Sequence, residues 1–143
     1  MANELIFKRL DHINELLNEL ERLLRIPLEK FMRDLTAVRA AERNFQLAVD
    51  LASDINTQIL IEHGGKTPDT YRESFSALEK TGVLSHDLTR HLIESAKVRN
   101  ILVHEYDFEE DYEKFYHAAQ ASVPAYREYA KTIYEYIRSA KEI

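Results

Sequence analysis

Apolar residues recur every three or four positions along nearly the whole chain, and no stretch alternates in the period-two manner of a strand. Five helical segments follow from that spacing. The first runs from about Asn3 to Arg25 and carries Leu5, Leu10, Ile13, Leu16, Leu17, Leu20, Leu23 and Leu24. Pro27 ends it, because a proline pushes the preceding residue out of the helical region. The second runs from about Leu28 to His63, with Phe31, Leu35, Val38, Phe45, Val49, Ala52, Ile55 and Ile59 in one stripe, and stops at Gly64-Gly65. Thr67-Pro68-Asp69 announces a short third helix bearing Tyr71, Phe75 and Leu78, which ends near Gly82. Ser85 caps a fourth, with Leu88, Leu92, Ile93, Ala96 and Val98. The last spans about Glu109 to Ala140 and bears Tyr112, Phe115, Ala119, Val123, Tyr126, Ala130, Ile133 and Ile137; Pro124 is expected to kink or divide it. The pattern predicts an all-α bundle of about five helices. No internal repeat is visible. The joint between Arg25 and Lys30 is too short for a domain linker, so one domain over residues 1–143 is expected.

Composition agrees with this picture and narrows the chemistry. The chain is 45% hydrophobic and 31% charged, the balance of a folded globular protein. Three glycines and three prolines leave few places to break helices. With no cysteine, disulfides, thiolate metal sites and cysteine catalysis are excluded. The N-terminus carries Glu4, Lys8, Arg9 and Asp11, unlike a signal peptide, and no apolar run reaches the roughly 20 residues of a membrane span. A cytoplasmic protein is expected. The net charge of −6 means that any polyanion must be met by a local basic group rather than by the overall field.

Most candidate chemistry has a plain structural reading. Di-metal carboxylate bundles need paired Glu-x-x-His motifs, and none is present. Asp87/His91 and Glu113/His117 stand four apart, as surface pairs do. HExxH, GxSxG and a phosphate-cradling glycine loop are all missing, so neither a metal nor a cofactor is expected. The acidic cluster Glu105, Asp107, Glu109, Glu110 and Asp111 suits the start of the last helix, where negative charge is favourable. The late aromatics, Tyr112, Phe115, Tyr116, Tyr126, Tyr129, Tyr134 and Tyr136, could stack on bases but lie at helical spacing and read as packing.

The stretch Arg99–Tyr106, RNILVHEY, is less easily absorbed. Arg99 and His104 are five apart, about 140° around a regular helix. An arginine beside the apolar run Ile101-Leu102-Val103 needs an anionic partner. On physics alone the simpler reading is a helix end, in which Arg99 pairs with a carboxylate such as Asp54 or Glu42 and His104 caps the C-terminus. The alternative is a site for phosphodiester chemistry on RNA, which carries its own nucleophile in the 2′-OH. Histidine can move the protons near neutral pH. Arginine donates parallel hydrogen bonds to phosphate and stays charged. Asn100 could orient phosphate or ribose. One histidine does not easily serve both proton transfers, but two copies in a symmetric dimer would.

Arg-x4-His with a polar residue just after the arginine resembles the HEPN superfamily of helical ribonucleases. The fuller Arg-Asn-x3-His-x-Tyr, matched at Arg99, Asn100, His104 and Tyr106, is similar to the HepT branch. So are the preceding AERNFQLAVDLASDINTQIL and GGKTPDTYRESFSALEKTGVL, and the likeness spans roughly Leu28 to the C-terminus. HepT proteins are toxins of type VII toxin–antitoxin modules, paired with a minimal nucleotidyltransferase (MNT-type) antitoxin. The resemblance implies a metal-independent endoribonuclease acting on cellular RNA, tRNA or mRNA. It implies a homodimer whose motifs line a shared cleft and which can assemble further with the antitoxin. Arg99, Asn100 and His104 would be catalytic, and Tyr106 would be the acceptor of AMP groups through which the antitoxin neutralises the toxin. The alternatives are a non-catalytic HEPN module that binds a nucleotide or partner, and a helical interaction protein in which RNILVHEY is only a helix end.

Overall fold

The structure is a computed structural model that describes the backbone of residues 2–104 and 112–141 and the side chains of 3–102 and 112–139. Its described residues form α1 (Ala2–Leu24), α2 (Leu28–Arg33), α3 (Leu35–Glu62), α4 (Tyr71–Lys80), α5 (His86–His104) and α6 (Tyr112–Lys141). The all-α expectation holds, with one helix more than expected.

The extra helix arises at Asp34. Its backbone is extended (φ −101°, ψ 90°), and its side chain accepts a hydrogen bond from the Ala37 N–H at 3.1 Å. One residue therefore ends α2 and caps α3. The apolar stripe that suggested one continuous helix does not survive the break: Phe31 is buried, while Leu35 is 55% exposed. Leu5 is likewise exposed, and Ile6 takes its place in the core. The third expected helix begins later than Thr67-Pro68-Asp69. Thr70 is its N-cap, with its hydroxyl accepting from the Glu73 N–H at 3.0 Å. The Glu73 carboxylate reaches back to the Asp69 N–H at 3.0 Å, a variant of the capping box. Ser85 caps α5 as expected, accepting from the Leu88 N–H.

Pro124 lies inside α6, which runs unbroken through it. A mid-helix proline costs about 3 kcal/mol. The helix continues because Phe115, Ala119, Val123, Tyr126, Ala130 and Ile133 on either side form one buried face, and each large side chain contributes about 1.5–3 kcal/mol. At the other end of α3, Gly64 (φ 76°) closes a Schellman turn, with Gly65 N–H to Leu60 C=O and Gly64 N–H to Ile61 C=O.

The pairings define the architecture. Arg9 bonds Gln58 and Asn44 bonds Glu19, so α1 lies antiparallel to α3. Tyr116 on α6 reaches the Leu24 carbonyl, and Phe7 meets Tyr134, so α1 is antiparallel to α6 as well. α4 and α5 close the other side of α3, and α5 also packs on α6. All of these helices contribute to one apolar core. Phe115, Tyr116, Tyr126 and Tyr129 are buried in it, in line with the packing reading of the aromatics, whereas Tyr134 is half-exposed against Phe7. No described helix is long and apolar enough to cross a membrane.

Candidate active site

Arg99 projects from α5 toward the middle of α3, where the anionic partner is Asp50 rather than Asp54 or Glu42. Its Nε donates to Asp50 Oδ1 at 3.0 Å. Glu42 instead meets Arg39 at 2.9 Å. Asp50 and Asp54 stand one turn apart on the same side of α3, and it is the earlier turn that meets Arg99; Asp54, exposed, lies one turn further along beside Gln58 and Ile61.

Tyr71, the first residue of α4, completes the arrangement. Its hydroxyl donates to the same Asp50 oxygen at 2.9 Å, and the Arg99 guanidinium lies over its ring at 4.5 Å from the centroid. Asp50 thus grips both partners, and the ring provides a face for the cation. Burial, then the hydrogen bond to Asp50 and that carboxylate's charge, push the Tyr71 pKa up, against the opposing influence of Arg99. The phenol stays protonated and remains a donor.

The α4 end of this clamp is itself anchored. Ser74 Oγ donates to the Tyr71 carbonyl at 2.7 Å and accepts from Asn56 Nδ2 at 3.1 Å, with Ser53 Oγ at 3.4 Å. Asn56 Oδ1 in turn accepts from the Tyr129 hydroxyl at 2.6 Å. A buried chain therefore joins α6, α3 and α4 beneath the clamp, and no buried side-chain polar atom among the described residues lacks a partner. Such a network is costly if left incomplete and rigid when complete. Sequence reading assigned Tyr71 to the core and passed over Asp50, Ser53, Asn56 and Ser74. The available signal was polarity out of place: Asn56 interrupts the run Ala52, Ile55, Ile59, and Ser74 sits beside Phe75.

The Arg99 guanidinium is only partly used. The side chain is 14% exposed, yet beyond Asp50 its hydrogen bonding among the described residues is one long contact, Nη1 to Asn100 Oδ1 at 3.4 Å. Nη2 has no described partner. An Nη edge held this way, with Nε tied down behind it, can take two oxygens of one phosphate. Asn100, exposed and adjacent, brings a donor and an acceptor to the same place. α5 continues as a helix to His104, so the Cα positions of Arg99 and His104 are separated by about 140° around its axis. The His104 side chain lies outside the described residues, as do Tyr106 and the acidic cluster Glu105, Asp107, Glu109, Glu110 and Asp111. Of the two surface pairs read from sequence, Asp87 is found 3.9 Å from Arg90 rather than with His91, and His117 packs edge-on to Tyr116. Among the described residues no three His, Asp or Glu side chains converge as metal ligands would.

Known proteins share this sequence and shape. A tRNA nuclease HepT from Aphanizomenon flos-aquae is 30% identical over 138 residues, covering 96% of this chain and 93% of that protein. A putative RNase from Archaeoglobus fulgidus is 25% identical over 107 residues, 75% of this chain and 74% of its own. Among solved structures, a tri-AMPylated Shewanella oneidensis HEPN toxin in complex with an MNT antitoxin superposes with a TM-score of 0.83 at 20% identity, over 92% of this chain and 97% of that one. A MntA–HpeT toxin–antitoxin mutant gives 0.82 at 20% identity, covering 92% and 98%. At that identity the two structures speak for the fold. The model of the HepT-like family, ribonuclease HepT-like, matches residues 13–133, and the chain belongs to that family.

Proposed function

We propose that this protein is a toxin that cleaves cellular RNA without a metal, through Arg99, Asn100 and His104, and that it acts as a homodimer. The observation that carries the reading is the state of Arg99: nearly buried, fixed at Nε by Asp50, stacked on Tyr71, and with its Nη edge holding only one long contact, to Asn100, among the described residues. An arginine serving only to hold a helix end would be expected to saturate its donors.

In the proposed reaction the RNA 2′-oxygen attacks phosphorus and the bond to the 5′-oxygen breaks. The Nη edge of Arg99 holds the non-bridging oxygens as negative charge builds on the phosphorane. Asn100 orients the phosphate or ribose. His104 takes the 2′ proton or gives one to the departing 5′-oxygen, and the second histidine of a symmetric dimer supplies the other transfer. The products carry a 2′,3′-cyclic phosphate and a 5′-hydroxyl. Two facing copies of Arg99 also supply the local positive charge that a chain of net charge −6 lacks overall.

Tyr106 is the proposed acceptor of AMP from an MNT-type antitoxin. This is supported by its place two residues after His104 and by the AMPylated state of the superposed Shewanella toxin. AMP groups there would put phosphates against the arginines and fill the space that RNA needs. The relative named a tRNA nuclease makes tRNA the first substrate to try. The test is cleavage of tRNA and mRNA in EDTA by wild type, Arg99→Ala and His104→Ala, with product ends mapped and Tyr106 verified as unmodified by mass spectrometry. Cleavage by wild type alone supports the reading. Equal cleavage by His104→Ala overturns the assignment. Nucleotide binding without RNA turnover would favour a non-catalytic module.

A further inference from the structure

Beside the clamp is a hollow of about 370 Å³ lined by Ser53, Pro68, Asp69, Thr70, Tyr71 and Asn100. Two of these residues already touch Arg99: Tyr71 through its ring and Asn100 through its amide oxygen. The hollow therefore opens next to the position proposed for the scissile phosphate. Its volume is near the lower end for small-molecule sites and suits one nucleoside.

Its chemistry is not that of a second phosphate site. No lysine, arginine or histidine lines it, and Asp69 brings a carboxylate that would repel an anion. What it offers is a proline and a tyrosine as apolar surface, two hydroxyls, an amide, and one acceptor-only group. The Asp69 carboxylate has no hydrogen bond among the described residues, while its backbone N–H is fixed by Glu73. The wall that carries it is therefore held in place by the cap of α4 and does not depend on the Asp69 side chain.

We propose that this hollow is a base-selecting subsite. It receives the base of the nucleotide adjoining the phosphate held by Arg99, and the Asp69 carboxylate accepts a hydrogen bond from an exocyclic amino group. Adenine, cytosine and guanine carry such a group, and uracil does not. RNA recognition commonly reads an unstacked base by its hydrogen-bonding edge against an aromatic or apolar surface, and Tyr71 and Pro68 supply that surface. The proposal rests on the ribonuclease reading of Arg99 and His104.

The test is to cleave a pool of RNAs randomised around the cut with unmodified wild type, Asp69→Asn, Asp69→Ser and Arg99→Ala, and to sequence the product ends. Wild type is expected to disfavour uridine at one position flanking the cut. Losing a hydrogen bond to a charged acceptor is worth about tenfold, so both Asp69 variants should raise uridine relative to adenosine at that position by about that factor. An unchanged preference in folded Asp69→Asn and Asp69→Ser, or no preference in wild type, overturns the subsite and leaves the ribonuclease reading intact. Cleavage by Arg99→Ala equal to wild type overturns the assignment of Arg99 as the residue that holds the phosphate, on which the subsite rests, whatever the Asp69 variants do. Two Asp69 variants are used so that a melting-curve failure of one does not decide the result.

Discussion

Arg127 crosses from α6 to α1, where its Nε and Nη2 donate to Glu21 Oε1, its Nη1 to Asn14 and its Nη2 also to Asn18. Arg99 crosses from α5 to α3 and gives Asp50 only Nε. The more exposed of the two side chains, at 34%, is the one with every nitrogen bonded; the more enclosed, at 14%, keeps its Nη edge in reserve. Burial alone would rank them the other way. A guanidinium that joins two helices for stability fills its fork with carboxylate and amides. Arg99, proposed to hold a phosphate, is gripped from behind, and the difference is visible only when donors are counted nitrogen by nitrogen.

The largest expected effect separates the two arginines by activity. Arg99→Ala should lower RNA cleavage at least 10²-fold, the scale of removing one donor to a developing oxyanion. Arg99→Lys should recover little of it, because an ammonium keeps the charge but loses the two-pronged geometry. Arg127→Ala should leave cleavage per folded molecule unchanged. If Arg99→Ala instead unfolds the protein by several kcal/mol while its folded fraction still cleaves RNA, Arg99 is a structural arginine like Arg127 and the contrast collapses.

Next in size is Asp50→Asn. The amide keeps the shape of the carboxylate but removes the charge that fixes Nε, so the guanidinium is held less firmly. About tenfold to 10²-fold lower kcat is expected, as for small misplacements of a catalytic group, with KM changed much less. A fall in melting temperature with kcat untouched would show that Asp50 only supports the fold.

These effects also mark what the sequence could and could not reveal. The bundle was legible because period-3.6 stripes such as Leu10, Ile13, Leu17 and Leu20 turn directly into a buried face. Asp34 hid its helix break because Phe31 and Leu35, four apart, kept the stripe going across it, and only the cap geometry interrupts it. Pro124 misled in the opposite direction, since local propensity gave way to packing on both sides of it. At the site, Arg99 and Asn100 stood out because they lie together in a short motif. Asp50 and Tyr71 did not, being 49 and 28 positions away from Arg99 in the chain and meeting it only when α3, α4 and α5 converge.

A smaller effect is expected at Arg127 itself. Arg127→Ala should destabilise the fold by about 1 kcal/mol, because the pair with Glu21 is a third exposed and screened by water, and both nitrogens share one carboxylate oxygen. A thermal melt should fall by a few degrees for a chain of this size. Adding Glu21→Gln should cost little more, since the two side chains act as one unit. A drop in cleavage without a change in the melt would place Arg127 in function and remove the contrast.

The smallest effect concerns the ring on which Arg99 rests. The Tyr71 pKa is raised in the folded protein, chiefly by burial and then by its bond to Asp50. A raised value means that the folded state favours the protonated phenol. The stability this gives is fully present below the unfolded value near 10 and is lost as pH rises through the folded value. Folding stability should therefore decline above about pH 10, where a phenolate would face Asp50 without a proton between them. Tyr71→Phe keeps the surface under the guanidinium and removes the titrating proton, so its decline should be shallower than that of wild type. Tyr126 and Tyr129 are also raised by burial and remain in both proteins, so the difference between the two curves isolates Tyr71. Stability measured by urea unfolding from pH 8 to 11 reads this directly. Superimposable curves would mean that the hydroxyl adds nothing to the clamp and that Asp50 alone sets the pose of Arg99. A clear gap would make the Tyr71–Asp50 hydrogen bond part of the device that keeps the Nη edge of Arg99 facing outward.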